Sequence, residues 1–270
     1  MKKLITITMN NNTSITHLLI FIFSFTLLIL SFSIFAESRK AELRVGETLH
    51  YDITFGPFLK GKTVIRFYGK TIYDSTELFY MTYDTKFFAS IFKSHIDIYA
   101  TEDFFPVRIE TEIKRMGKLS KGLELFYRNK NMAIFSQIIE GKEEVDTILR
   151  EHPIQDITTL PFYLMGINFD PGDTLQVSLP QGELKLARAK IEEIVIDEDF
   201  FNTYSTYLIK SEPKGFKVWL NRGKNRLPIK IHIEQSKIKM LLKKIEIDKS
   251  IKVKIKEEKS TDETPGEKIN

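Results

Sequence analysis

Apolar and polar residues alternate along most of this chain, from about residue 47 to residue 256. Successive side chains of a β-strand point to opposite faces, so this period of two is typical of strands with one buried face. The apolar members of the first run are Leu49, Tyr51, Ile53 and Phe55. Similar runs occupy residues 107–114, 229–233 and 251–255. The pattern therefore predicts a mainly β protein.

Polar turns separate these runs at intervals of roughly 8–12 residues. Three examples are Gly56-Pro57, Pro171-Gly172-Asp173 and Asn221-Arg222-Gly223. Short, regular spacing favours an antiparallel meander, because parallel neighbours need a long crossover, usually a helix, between them. We therefore expect about twelve to fourteen antiparallel strands in sequence order.

One stretch, residues 152–168, breaks the alternation. Its apolar residues from Ile157 to Leu164 have helical spacing, Pro161 suits a first helical turn and Gly166 could end the helix. A short helix at about 157–165 is predicted. It would divide the β region into halves at about 41–150 and 170–250.

No Pro/Ser-rich linker separates the two halves. We therefore favour one continuous antiparallel β domain at 37–256, while two sheets of one core and two separate domains are both compatible with the sequence. The segment 257–270 is rich in charged and small residues and is predicted to be disordered, because it lacks apolar surface to bury.

The first 36 residues have the character of a secretory signal. Lys2 and Lys3 precede an apolar stretch at 18–34, and no acidic residue occurs before Glu37. Cleavage after Ala36 is the favoured outcome, and the alternative is an uncleaved membrane anchor. The protein is therefore expected to be exported to the periplasm.

Cysteine is absent, which excludes disulfides, thiol catalysis and a lipoprotein acyl anchor. The sequence contains neither a Gly-x-Ser-x-Gly elbow nor a glycine-rich phosphate loop, and its five histidines lack metal-binding spacing. No catalytic residue, metal ligand or cofactor is therefore predicted. Nucleic acid is disfavoured as a partner because of the extracytoplasmic address.

Two apolar clusters are candidates for a ligand site. They consist of Phe87, Phe88, Ile91 and Phe92, and of Leu160, Tyr163 and Leu164 on the predicted helix. The first cluster lacks clean alternation, so at least one ring is expected outside a simple core face. Both clusters fit a buried corner of the core, and both fit the mouth of an apolar cavity or a partner-binding patch.

A basic patch is predicted near the end of the β region. Lys252, Lys254 and Lys256 alternate with apolar residues, which is typical of an edge strand protected against unwanted pairing. Attraction to anionic lipid headgroups or envelope polymers is the functional alternative. Membrane contact is expected only through this edge or the signal segment.

Three motifs in order resemble the exported bacterial family called domain of unknown function 3108, over residues 43–247. They are Val45-Gly46-Glu47-x-Leu49-x-Tyr51 with Gly56 and Gly61; Gln155-Asp156-Ile157-Thr158-Thr159-Leu160-Pro161-Phe162-Tyr163-Leu164 with Pro171-Gly172-Asp173; and Val218-Trp219-Leu220 followed by Arg226-Leu227-Pro228-Ile229-Lys230-Ile231. The resemblance implies a strongly curved antiparallel sheet, half-barrel or open-barrel-like, with no agreed activity and no assigned catalytic residues.

Three functions are compatible with these features. The leading hypothesis is a non-enzymatic envelope protein that holds a lipid, an acyl chain or a lipidated partner in the cavity of a curved sheet. The alternative is a structural or assembly factor that binds other envelope proteins through a sheet edge. The third is a hydrolytic enzyme without a recognisable motif.

Overall fold

The computed structural model describes residues 43–87, 91–139, 141–197 and 202–251, all within the compact unit Arg39–Asn270. The predicted signal segment at 1–36 and the predicted disordered tail at 257–270 lie outside these ranges. So do Phe88 and the predicted basic patch of Lys252, Lys254 and Lys256. Ile251 follows a turn in which its amide donates to the Asp248 carbonyl at 3.3 Å.

Within the described residues, fourteen strands form one antiparallel sheet. They are β1 (Glu47–Phe55), β2 (Leu59–Tyr73), β3 (Thr76–Phe87), β4 (Phe92–Ala100), β5 (Pro106–Arg115), β6 (Lys118–Tyr127), β7 (Met132–Ile139), β8 (Lys142–Leu149), β9 (Thr174–Leu179), β10 (Gly182–Asp197), β11 (Asn202–Glu212), β12 (Phe216–Asn221), β13 (Pro228–Ile233) and β14 (Ile238–Ile247). The mainly β, antiparallel meander prediction is confirmed, because every strand pair joins antiparallel neighbours.

The first and last strands are neighbours in the middle of the sheet. The strand order runs from β8 back to β1, then from β14 back to β9. Glu47 pairs with Ile247 and Phe55 with Ile238, so the ends of the described chain lie together. The sheet edges are therefore β8 and β9, two strands consecutive in sequence, and the sheet is not closed into a barrel.

The segment after β8 bridges the gap between these edges. Ile154 forms a parallel bridge with Ser178 of β9, and the Gln155 amide donates to the Ser178 carbonyl at 2.8 Å. The Arg150 guanidinium donates to the carbonyls of Leu179 and Pro180, at 3.2 and 2.5 Å. Residues 150–155 thus cross the gap from β8 and form hydrogen bonds with the other edge strand, β9.

The predicted helix is confirmed in place but is shorter than expected. Helix α1 spans Leu160–Tyr163, and a 3-10 turn spans Leu164–Gly166. Pro161 lies in the first turn, as expected. The helix begins at 160 because Asp156 and the residues after it form a side-chain-capped turn, in which the Asp156 carboxylate accepts from the Thr158 amide at 2.7 Å.

We call the face of the sheet that carries the core and α1 the inner face. Buried side chains from both halves, such as Ile98 and Val218, belong to one core cluster. Phe162 of α1 packs against Tyr83 and Phe104, with ring centroids 6.4 and 5.8 Å apart. No helix among the described residues has the length and apolar character needed to cross a bilayer.

Candidate functional site

Part of the inner face, on strands β4 to β7, is only half-buried. Ile98 and Ile109 lie opposite each other and are fully buried in the core. Further along the same face, Ile96 lies opposite Thr111, and both are half-buried. Because side chains two residues apart share a face, an accessible surface continues the core across these strands.

A pocket of about 210 Å³ opens on this surface at β5, β6 and β7. Its lining includes the inward-facing residues Thr111, Ile113, Ser120, Gly122, Glu124, Phe135 and Gln137. Gly122 lies between Thr111 and Gln137, and Glu124 lies opposite Phe135. The volume is below the roughly 300–1,000 Å³ of drug-sized sites, so the pocket would hold only part of a larger ligand.

Phe87 and Phe92, two predicted site residues, form a cross-strand pair at one end of the inner face. They lie directly opposite each other on β3 and β4, with ring centroids 5.6 Å apart in an edge-to-face arrangement. Gly61 lies opposite Phe87 on β2. A Cβ there would come within 2.8 Å of the Phe87 ring and 2.4 Å of the Lys86 carbonyl oxygen, so the close packing requires glycine.

The other predicted site residues have different environments. Ile91 lies in the turn before β4 and is 57% exposed, while Phe88 lies outside the described residues. Leu160 and Leu164 are completely buried in the core, and Tyr163 is half-buried beside it. The helix contacts β3 at Tyr83, four residues before Phe87, so the two clusters lie roughly 13 Å apart along this strand.

Glu124 is an acidic residue that the sequence analysis missed. Burial, and then the negative charge of Asp156, raise the pKa of its carboxyl group to about 8. A neutral carboxyl group can donate a hydrogen bond as well as accept one. The pocket therefore combines an aromatic wall, Phe135, with a carboxyl group that is mainly protonated at neutral pH.

Asp156 and Gln155 form a buried polar group beside the helix. Burial raises the pKa of Asp156, against hydrogen bonds from the side chain and backbone of Thr158. The Gln155 side-chain oxygen accepts from the Asp156 amide at 3.2 Å and the Thr159 hydroxyl at 3.1 Å. Its amide nitrogen is buried without a hydrogen-bond partner in the described part of the chain.

The outer face carries a cross-strand network around His95. Its Nδ1 lies 2.8 Å from Asp84 and its Nε2 lies 3.2 Å from Asp97. Arg66 donates to Asp84, and the Tyr80 hydroxyl donates to Asp97, both at 2.5 Å. Within the described ranges, no three His, Asp or Glu side chains are placed to hold a metal ion.

A second outer-face feature is a groove of about 600 Å³ between β2, β1, β14 and β13. Its charged lining residues are Asp52, Lys60, Lys62, Lys230, Lys239 and Lys243. Leu241 and Met240 contribute apolar surface. The groove is therefore basic, and its lysines are different residues from those of the predicted basic patch.

The fold and the pocket together define an open antiparallel β meander whose edges are bridged by the segment between β8 and α1 and whose inner face is partly accessible. Comparison with known proteins gives this class no established function. No protein-family model matches the chain, and no curated protein matches it.

Among solved structures, the chain is similar to a "Beta-barrel-like Protein of Domain of Unknown Function DUF1849 from Brucella abortus". The two share 12% sequence identity with a TM-score of 0.46, over 77% of this chain and 100% of that chain. This level of likeness carries no argument about activity. The resemblance to domain of unknown function 3108 stays a prediction.

Proposed function

We propose that this protein binds an apolar ligand, such as an acyl chain or a lipidated partner, on the inner face of β3 to β7 without catalysing a reaction. The observation that carries this proposal is the half-buried inner surface that ends in the pocket of about 210 Å³ beside Phe135 and Glu124. Apolar surface left accessible next to a core is typical of binding sites.

The lining supports a ligand with a long apolar part and few polar atoms. Ile113 and Phe135 offer apolar contacts, and Glu124, when protonated, offers one hydrogen bond to a carbonyl or carboxyl group. The Phe87–Phe92 pair lies on the same face at the end of β3 and β4. A chain lying across β4 and β5 would contact both ends of this surface.

The location proposed for this activity is the periplasm. The segment at 1–36, in which Lys2 and Lys3 precede an apolar stretch at 18–34, supports export of the chain. The resemblance to an exported bacterial family supports the same address. Fractionation of cells that express the full chain tests it: recovery in the periplasmic fraction is expected, and recovery in the cytosol would contradict it.

Native mass spectrometry of the purified protein tests ligand binding. We expect a co-purifying mass of lipid size on the wild-type chain, recovered by organic extraction. Gly122→Leu should lose this mass, because a large side chain at this position would fill the pocket. Gly122→Ala is the matched control, since its Cβ would lie 3.8 Å from both Ser136 O and Thr111 Cβ.

The proposal fails if the wild-type chain carries no lipid and does not bind an added fluorescent fatty acid. It also fails if Gly122→Leu, shown by circular dichroism to be folded, retains the ligand as well as Gly122→Ala does. Either result would leave the inner face as packing surface.

A second candidate function is the binding of another envelope protein at edge strand β8. The outer faces of β6 to β8 carry exposed apolar side chains, at Leu119, Ile138, Val145 and Leu149. Photo-crosslinking from position 145 in cells should then recover one protein repeatedly. Under this candidate, Gly122→Leu should leave the crosslink unchanged.

A further inference from the structure

Three neighbouring hairpin turns present exposed apolar side chains at one end of the sheet. Phe58 in the β1–β2 turn, Ile91 in the turn before β4 and Met116 in the β5–β6 turn are 83%, 57% and 78% exposed. The turns share this end because β1, β3 and β5 run toward it and their partners run away from it. The Met116 amide donates to the Ile91 carbonyl at 3.0 Å, so two of the turns are in contact. We call these three residues the apolar tips.

A row of lysines lies behind the apolar tips on the outer face. Strands β2 to β5 place one lysine each at directly opposing positions, and all of these lysines are exposed: Lys62, Lys86, Lys93 and Lys114. Neighbouring strands lie about 4.8 Å apart, so this lysine row is roughly 14 Å long. Like charges directly opposite each other in a sheet are destabilising. The lysine row therefore lowers the stability of the isolated sheet.

The lysine row has no carboxylate within ion-pair distance among the described residues. Next to it on the outer face, Lys121 forms an ion pair with Glu112. At the other end of the row, Asp52 lies opposite Lys62 without forming such a pair. The repulsion within the row is thus left for an external anionic surface to offset.

Each apolar tip lies two residues from an exposed lysine. The pairs are Phe58 with Lys60, Ile91 with Lys93, and Met116 with Lys114. Two residues of extended chain span about 7 Å. This distance matches the depth of about 5–10 Å to which apolar side chains of surface-bound proteins enter the boundary between headgroups and acyl chains. The long stem of a lysine lets its ammonium group stay among the polar headgroups while the neighbouring tip is inserted.

We propose that this end of the sheet docks on the surface of an anionic phospholipid bilayer. The apolar tips enter between the headgroups, and the lysine row faces the phosphates. Charge complementarity supports an anionic surface, because clustered lysines are attracted to acidic headgroups. The order of the groups supports a bilayer over a protein partner: single apolar side chains project from separate turns with cations behind them, whereas the core of a protein interface is a continuous, well-packed patch.

The docking surface is separate from the predicted patch of lysines at 252–256, and it does not depend on a ligand at the inner face. The Phe87–Phe92 pair belongs to the same end of β3 and β4. Docking would therefore bring that end of the inner face to the membrane surface.

Fluorescence from a labelled tip tests the proposal in the full chain. Because the chain contains no cysteine, Met116→Cys provides a single site for an environment-sensitive dye. Thr76→Cys is the matched control, since Thr76 is exposed at the opposite end of β3. The probes are vesicles of phosphatidylglycerol with phosphatidylethanolamine and vesicles of phosphatidylcholine alone. We expect a blue shift of the dye at position 116 on the anionic vesicles, no shift at position 76 and little shift on the neutral vesicles.

Two sets of variants test the roles of charge and of the apolar tips. Lys93→Gln/Lys114→Gln should weaken binding to anionic vesicles by about tenfold or more. Lys185→Gln/Lys210→Gln, which removes the same charge from exposed positions on β10 and β11, should have little effect. Phe58→Ala should weaken binding by about fivefold or more, because it removes apolar surface that enters the bilayer. Circular dichroism checks that each variant is folded.

The proposal is overturned if the dye at position 116 shows no shift on anionic vesicles, or shifts equally on neutral ones. Equal weakening by the two pairs of lysine substitutions overturns it as well, because the effect would then come from net charge. Photo-crosslinking from position 91 in cells should recover lipid. Repeated recovery of one protein in its place would assign this end of the sheet to a protein partner and overturn the membrane assignment.

Discussion

Glu124 faces the inner side of the sheet, where burial and the charge of Asp156 raise the pKa of its carboxyl group from 4.5 to about 8. Below about pH 4.5 this group is protonated in both the folded and the unfolded chain. As the pH rises toward 8, the unfolded chain ionises first, so the raised pKa lowers the free energy of unfolding over this window.

Glu124→Gln should remove this pH dependence, because the amide does not ionise. Relative to wild type, the unfolding free energy of the variant is expected to rise progressively between pH 4.5 and pH 8. The gain at pH 8 is about 2 kcal/mol, after allowance for solvent screening at a half-buried site. Urea unfolding at several pH values measures the difference. Parallel pH profiles for the two proteins would show that the carboxyl group titrates normally.

Gly61 illustrates a packing requirement at a single position. Gly61→Ala would place a Cβ 2.4 Å from the Lys86 carbonyl oxygen, so β2 or β3 must shift and Phe87 must move. We expect a loss of about 1–3 kcal/mol in unfolding free energy. Gly122→Ala is the control, with an expected change within about 0.5 kcal/mol, and equal losses for both would contradict the packing argument.

Alternation of apolar and polar residues identifies a strand but does not assign which of its faces is buried. In the run Leu123-Glu124-Leu125, an apolar-inside rule places both leucines in the core and the glutamate in solvent. In the structure Glu124 shares the inner face with Phe126, while the leucines lie on the outer face. A period of two identifies a strand, but the inward face is chosen by the neighbouring strands.

At the scale of elements, helix α1 stabilises the fold through one aromatic side chain. Phe162 is completely buried and contacts Tyr83 and Phe104. Phe162→Ala should lower the unfolding free energy by about 3–5 kcal/mol, because it leaves a cavity between the helix and β3.

Phe58→Ala is the matched control for this substitution, since Phe58 is 83% exposed. Its expected effect is within about 0.5 kcal/mol. Urea unfolding of both variants is the measurement. A loss below about 1 kcal/mol for Phe162→Ala would mean that the helix is only loosely attached to the sheet.

The helix itself could be predicted because its signals are local. Pro161, Gly166 and the apolar spacing from Ile157 to Leu164 are all contained in one short segment. Its length was overestimated because the Asp156 side chain caps a turn with Thr158 and delays the first helical residue. Such a side-chain hydrogen bond competes with helix formation and is not visible in apolar spacing.

At the scale of the whole molecule, the sheet depends on the bridge between its two edges. Arg150→Ala removes hydrogen bonds to the carbonyls of Leu179 and Pro180. We expect a loss of about 1–3 kcal/mol in unfolding free energy and faster hydrogen exchange at the Gln155 amide, which bonds to Ser178.

Lys142→Ala, on the exposed edge strand β8, is the control for this prediction. It should change neither stability nor exchange measurably. If the Gln155 amide exchanges at the wild-type rate in Arg150→Ala, the arginine does not hold the bridging segment to β9.

The sequence by itself determined the class of this protein: strands from alternation, hairpins from turn residues, and one short helix where the alternation stops. These signals are local, since each depends on residues only a few positions apart. Phe87 and Phe92 could also be recognised as a ligand-site candidate, because an aromatic cluster without clean alternation is visible in one segment.

Only the tertiary structure decided the pairing of β1 with β14, the open edges at β8 and β9, and the inward direction of Glu124. It also decided the alignment of Lys62 with Lys86 and of Lys93 with Lys114 on neighbouring strands. These features arise from contacts between residues far apart in the chain, whose choice depends on how all fourteen strands bury one face together. Local patterning contains no information about which distant partner is chosen.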